Sequence, residues 1–280
     1  MQQGIYYIVE KEMILQDFLM NEKGHSHRQI VALKKGGILV NGQKIRMIDK
    51  VNIGDKIQIE FKQTCNLVAN YDLIVPIEYE DDFIIVYNKP ENMPTHPSRD
   101  HLSDTLANAF CAYIKDTTFR PINRLDRDTC GLCVVAKNPY VASRLSKNIQ
   151  KKYCGIISGH MKEKTGEINA PIFREDYDTI KRVVDERGKP SITQYKVISE
   201  NEKYSLVSFT LLTGRTHQIR VHMSYMGVAL AGDSIYGGDN SDFLCHVLCC
   251  NYVQFYHPIT NKKIEISIPM PEKYQNLFKN

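Results

Sequence analysis

Pro121-Ile-Asn-Arg-Leu-Asp-Arg-Asp-Thr-Cys-Gly-Leu-Cys-Val-Val-Ala-Lys137 is a charged turn that runs into a short apolar stretch. Leu132 to Ala136 reads as a buried strand, and Gly131 before it as the glycine of a tight turn. The turn carries Arg124, Asp126, Arg127 and Asp128, too much charge for an idle connection. Either neighbouring guanidinium would hold Asp126 ionised in a partly dry pocket. A positioned carboxylate at a strand edge serves as nucleophile or base. A solvated loop ion pair accounts for this stretch equally well.

The totals narrow the classes. A chain of 280 residues is long enough for one large core or two domains. With 42% hydrophobic and 24% charged residues, no long disordered tract is expected. No run approaches the roughly 18 apolar residues of a membrane span, and Glu10, Lys11 and Glu12 interrupt the N-terminal apolar stretch, against a signal peptide. The eight cysteines are then read as reduced thiols and the protein as cytoplasmic, without membrane association, and a monomer. Net charge is only +4, but residues 1–62 hold ten Lys/Arg against seven Asp/Glu. Between Arg28 and Lys50, six basic residues (Arg28, Lys34, Lys35, Lys44, Arg46 and Lys50) stand against a single acid, Asp49. Such a local basic surface suits a polyanion, or is a solubilising lysine face.

In chain order, apolar residues at 14, 15, 18 and 19 predict a helix over Met13 to Glu22, ended by Gly24. Ser26 is a candidate N-cap for a second helix to Lys35, with Ile30 and Leu33 inward. Asn41-Gly42 signals a hairpin after Ile38-Leu39-Val40, and Lys56 to Phe61 alternates as a half-buried strand. Two short helices and a small basic β unit, with the run Lys34-Lys-Gly-Gly-Ile-Leu-Val-Asn-Gly42, resemble the S4-type RNA-binding domain. A structural cap has the same outline. Residues 63–76 read as a linker.

From Ile77 a second unit begins. Asp82 to Tyr87 is a strand, Met93-Pro-Thr-His-Pro97 a rigid loop in which His96 braces the chain, and Thr105 to Tyr113 a helix. Pro139 to Lys152 reads as a helix exposing Arg144, Lys147, Lys151 and Lys152, followed by a strand that Tyr153 enters. Glu163 to Gly188 is turn-rich. Ser191 to Val197 and Ser205 to Leu212 alternate as strands. In Gly214-Arg-Thr-His-Gln-Ile-Arg-Val-His-Met-Ser-Tyr-Met-Gly227, Thr216 can N-cap a helix with Ile219, Met223 and Met226 inward. His217 and Arg220 then lie opposite. His217 and His222 are five apart, the wrong spacing for zinc. Cys130 and Cys133 make one C-x-x-C without a second, so no metal is expected.

Arg-Leu-Asp-x-x-Thr-x-Gly-Leu, Gly-Arg-Thr-His-Gln-Ile-Arg-Val-His and Gly232-Asp-x-x-Tyr-Gly237, in this order, resemble the motifs of RluA-type RNA pseudouridine synthases. Asn123 and Cys130 depart from the family's usual histidine and serine. The resemblance implies an α+β fold on a mixed, mostly antiparallel central sheet, with an S4-type domain over 1–62, a linker over 63–76 and a catalytic domain over 77–280. It implies that uridine in RNA is isomerised without a cofactor, in ribosomal RNA of the large subunit or in transfer RNA. Asp126, Tyr153 and Arg220 would be catalytic, with Arg220 pairing Asp126 and Tyr153 against the base. Arg124 would help to eject the base, and RNA would meet Arg124, Arg215, His217, Gln218, Arg28, Lys34, Lys35, Lys44 and Arg46. Two other classes remain: a hydrolase using Asp126 and Asp128 as a carboxylate pair, and an RNA binder with a silent site.

Overall fold

The computed structural model describes residues 4–279 apart from 116, 147 and 177, so Lys147 lies outside the described residues. The chain opens with β1 (Ile5–Ile8), β2 (Met13–Ile14), α1 (Leu15–Asp17) and a π-helical turn over Phe18–Glu22. The helix expected from Met13 therefore starts two residues late. Met13 and Ile14 pair instead with Val51 and Lys50, while Leu15, Phe18 and Leu19 are buried. In α2 (His27–Lys34), Ser26 and Gln29 cap each other: Gln29 N donates to Ser26 Oγ and Ser26 N to Gln29 Oε1. Next come β3 (Ile38–Val40), β4 (Lys50–Val51) and β5 (Lys56–Ile59).

Asn41 and Gly42 take positive φ, as a tight hairpin turn requires. Only Val40 and Gln43 bridge across that turn, and β3 pairs antiparallel with β5 in a sheet of order β1-β5-β3. The hairpin stops short because the Asp49 carboxylate accepts from Arg46 N and its guanidinium, curling 46–49 into a turn of its own. No regular element is assigned over residues 63–76. The segment is nonetheless tied to the helix at Leu106–Tyr113, with Asn70 N bonding Asn108 O and Asn108 Nδ2 bonding Val68 O. A Cys65–Cys111 disulfide also crosses here, correcting the reading of every cysteine as a thiol. Lying along that helix brings the two sulfurs together, which sequence spacing gave no reason to expect.

The second unit runs β6 (Ile77–Glu80), β7 (Ile84–Lys89), α3 (Leu106–Tyr113), β8 (Cys130–Ala136), α4 (Pro139–Leu145), β9 (Gln150–Ser158), β10 (Thr165–Asn169), β11 (Ile172–Phe173) and β12 (Val183–Val184). It continues with β13 (Ile192–Glu200), β14 (Tyr204–Leu211), α5 (Gln218–Tyr225), β15 (Leu248–Tyr256), β16 (Lys263–Ser267) and α6 (Glu272–Gln275). One mixed sheet has the order β10-β13-β14-β9-β15-β8-β7-β6, with β16 also on β15. Its pairs are antiparallel except β15 with β8. This is the α+β, mostly antiparallel architecture expected.

The helix expected to Lys152 ends at Leu145, because Gln150 and Lys151 pair with Gln254 and Val253 of β15. Backbone pairing with β15 outweighs local periodicity there. Glu163 to Gly188, read as turns, holds β10 and the small β11–β12 pair. The first unit rests on α4: Gln29 Nε2 donates to Pro139 O, Tyr140 OH to Lys23 O, and the His25 and Tyr140 rings stack at 4.4 Å. Among the described residues no helix is long and apolar enough to cross a membrane.

Strand β8 is buried along its whole length. Asn123, where the resembling family has histidine, gives its Nδ2 to Leu132 O and accepts from Val134 N, so its amide substitutes for a strand neighbour. Gly131 is not the turn glycine expected but a strand residue at φ +102, where a Cβ would lie 2.3 Å from Cys250 O. Gly131→Ala would strain the backbone and push β8 from β15. We predict a loss of about 2–4 kcal/mol, read as a lower unfolding midpoint in denaturant.

Candidate active site

The Asp126 loop is held by its neighbours on both sides. Thr95 Oγ1 donates to Leu125 O and accepts from Leu125 N. Met93 N and the buried Lys89 ammonium both donate to Arg127 O. Thr129 N closes a turn on Asp126 O, and its hydroxyl bonds His246 Nε2 at 2.8 Å. Burial, then the charge of Arg220, pushes His246 down to about 4, so this brace is a neutral imidazole near pH 7. A loop pinned in this way presents the side chain between its anchors in one orientation.

That side chain meets Arg220 of α5. Arg220 Nη1 donates to Asp126 Oδ2 at 3.0 Å, while Nε and Nη2 donate to Asp233 Oδ2 and Oδ1 at 2.8 and 2.9 Å. The Tyr236 ring lies 5.0 Å from the guanidinium carbon. Burial opposes the charge of Arg220, but the bonds and charge of Asp233, then of Asp126, outweigh it and raise its pKa further. The Asp233 side chain is fully buried and that of Asp126 is 29% exposed. Among the described residues Asp126 Oδ1 has no hydrogen-bond partner. One oxygen is fixed and the other is open.

Arg124, Asp126, Tyr153, Arg215, His217 and Arg220 line one cavity, with Leu211, Ile219 and Leu248 as its apolar wall. Tyr153 is the fourth residue of β9 and buried, not the entry to the strand. Burial, then Cys250, keeps its phenol protonated, well above the usual range. Arg124 and Arg215 are exposed at the rim. His217 Nε2 lies 3.7 Å from Asp126 Oδ2 and its Nδ1 2.8 Å from Tyr236 OH.

Several sequence expectations change. Neither Arg124 nor Arg127 partners Asp126; Arg127 turns to Asp128 at 2.9 Å. Asp128 lines a different cavity with Phe243 and Tyr274, which removes the carboxylate pair supposed for hydrolysis. Thr216 does not cap α5. His217 occupies that position in the left-handed region, with no side-chain cap. Met226 is exposed rather than inward, while Val221 is buried. Gln218 was expected to touch RNA, but it is buried and its amide is spent on Thr213, Arg215 N, Ile192 O and Thr193. Its position is that of a brace for the loop before α5. Thr95, Thr129, His246, Asp233 and Tyr236 were not foreseen as site residues. The last two stood in a recognisable motif, but only the fold puts them against Arg220.

The residues expected on a basic face lie apart from this cavity. Lys34, Lys35, Lys44 and Arg46 line one groove with Leu33, Ile38, Ile45, Met47 and Ile48, and Arg28 is exposed on α2. Arg46 also pairs with Asp49.

Residues 83–225 match the family model described as RNA pseudouridylate synthase. The chain is 33% identical to an uncharacterized RNA pseudouridine synthase, YjbO of Bacillus subtilis, over 92% of this chain and 96% of that protein. It is 34% identical to the ribosomal large subunit pseudouridine synthase D of Buchnera aphidicola, over 86% of this chain and 84% of the other. Among solved structures, human RNA pseudouridylate synthase domain containing 1 is similar at TM-score 0.60 and 27% identity, covering 71% of this chain and 84% of that one.

Arg220→Met would strand the Asp233 carboxylate in a dry interior. We predict a destabilisation of roughly 3–5 kcal/mol, measured by denaturant unfolding. Adding Asp233→Asn should restore much of that stability without restoring activity.

Proposed function

The chain belongs to the RNA pseudouridylate synthase family and is an isomerase acting on RNA, and on that premise we propose that Asp126 is its acting carboxylate. We further propose that its targets are specific uridines of structured RNA, foremost in large-subunit ribosomal RNA. The observation that carries the assignment is the divided state of this carboxylate: Oδ2 is held by Arg220 at 3.0 Å while Oδ1 is left open. The ribosomal target is supported by the names of relatives at 32–34% identity.

In the reaction the N1–C1′ bond breaks, the uracil turns in place and it rejoins through C5. The exchange is redox-neutral and calls for no cofactor. The base must first leave its stack, and Arg124, exposed at the cavity rim, would occupy the gap. An ionised oxygen is needed whether Asp126 attacks C1′ or takes a proton to form a glycal. Arg220 holds Oδ2 and so aims Oδ1. The neutral ring of Tyr153 offers the uracil a face that tolerates its rotation, because stacking asks for no fixed polar partner.

Residues 1–62 would act as an S4-type RNA-binding domain, with the groove of Lys34, Lys35, Lys44 and Arg46 following phosphates. The groove's apolar floor and four cations, of which the three lysines have no acidic partner among the described residues, support that reading. Each phosphate neutralised releases counterions and steepens the fall of log affinity with log salt by about 0.7 to 0.9.

Asp126→Asn keeps the shape and removes the charge. Tritium release from RNA labelled at uridine C5 should drop on the order of 10³-fold or more, with RNA affinity within a few-fold of the parent; normal release would sink the assignment. For the groove, replacing Lys34, Lys35 and Lys44 by Gln should weaken RNA binding and flatten its salt slope by roughly 2. A slope equal to that of the parent would make this unit a structural cap.

A further inference from the structure

His217 stands between Tyr236 and Asp126. Tyr236 OH accepts from Arg182 N at 2.9 Å and lies 2.8 Å from His217 Nδ1. A tyrosine hydroxyl has one hydrogen of its own to give. Among the described residues, Nδ1 is the acceptor in reach of it, because the other contact is an N–H donor. With the hydroxyl donating to Nδ1, the proton of a neutral ring sits on Nε2. Nε2 is the nitrogen that faces Asp126 Oδ2, at 3.7 Å.

The backbone points the same way. His217 is a non-glycine residue at φ 58, immediately before α5, in a conformation that costs energy and collects at functional sites. Gln218 secures the loop through Arg215 N and Thr213, so the imidazole is free of any role in capping the helix.

We propose that His217 is a positioning residue for Asp126, held by the Tyr236 hydroxyl as the Nε2–H tautomer so that a second donor beside Arg220 faces Asp126 Oδ2. The assignment rests on Asp126 being the acting carboxylate. At 3.7 Å the contact is electrostatic, and a shift of roughly 0.7 Å would make it a hydrogen bond. Two donors on Oδ2 would orient Oδ1 at the ribose more firmly than Arg220 alone.

Protonation is also controlled. Burial lowers the His217 pKa, Asp126 opposes that, and Arg220 and Arg182 add to it, with Asp233 opposing. The ring is thus neutral at pH 7. It becomes imidazolium only in acid, where protonated Nδ1 can no longer accept from Tyr236 OH and the ring loses that hold, although Nε2–H still faces Asp126.

Two substitutions separate this role from others, each measured for kcat, KM and pH profile with a uridine-containing RNA. His217→Asn tolerates the left-handed backbone but is too short to reach Asp126. His217→Gln places an N–H near the position of Nε2 and does not titrate. The expected result is that His217→Asn loses about 10- to 100-fold in kcat with KM within about twofold, whereas His217→Gln recovers most of it and lacks the acidic limb owed to His217. Parental kcat in His217→Asn, a change confined to KM, or an unaltered acidic limb in His217→Gln would each overturn the proposal. A KM effect alone would make His217 an RNA contact. Activity in Asp126→Asn would instead overturn the reading on which it rests, and so the two failures are told apart.

Discussion

The three-way ion contact of Asp233, Arg220 and Asp126 is the constraint around which the site is arranged. A buried guanidinium must be compensated, and Asp233 compensates it with both oxygens. That leaves Nη1 for Asp126, one N–H against one oxygen. A bidentate pair with Asp126 would have been more stable and less useful, because both oxygens would be occupied. Sharing the arginine holds one oxygen of Asp126 while leaving the other able to react. Asp233 is thus the structural half of the arrangement, and its full burial is tolerable only because Arg220 is there.

Local order was legible in the sequence, and long-range pairing much less so. The N-cap read at Ser26 formed, the helix read from Thr105 runs over Leu106–Tyr113, and Leu132 to Ala136 is a buried strand, because caps and short apolar runs are decided within a few residues. Asp126 shows the limit. Its sequence neighbours Arg124 and Arg127 suggested a local partner, yet the guanidinium that reaches it comes from 94 positions away. Spacing gives no distance across a fold. The family resemblance supplied the Arg220 pairing, while Asp233 and Tyr236 could be assigned only once α5 and the loop after it were side by side.

Where a local reading failed, pairing or burial prevailed over it. Gln150 to Lys152 continue an amphipathic pattern, but the ladder with β15, joined by β14 at Lys152, draws them into β9. Thr216 has a capping side chain, but the loop is already held by the buried Gln218, and His217 takes the position before the helix. The cap rule describes an isolated helix end, and this end is packed against β13 through Thr193 and Ile192. The exception falls beside Asp126, where local preference is given up for placement.

The same logic governs the register of the sheet. Cys250 of β15 is partnered by Gly131 on one side and by Tyr153 on the other. Strands are spaced about 4.8 Å apart, so this single alignment sets the end of the Asp126 loop two strand spacings from the tyrosine. A slip of one residue between β8 and β15 would shift the Asp126 loop by about 3.3 Å relative to Tyr153. The parallel pairing that prevents it is short, covering Cys249↔Cys130 and Cys250↔Gly131. So short a contact can hold only if the strands come close, and the missing Cβ of Gly131 permits that approach to the Cys250 carbonyl. The glycine in the motif is therefore a condition of the active-site geometry: it locks the register that brings the Asp126 loop and the Tyr153 ring to one cavity.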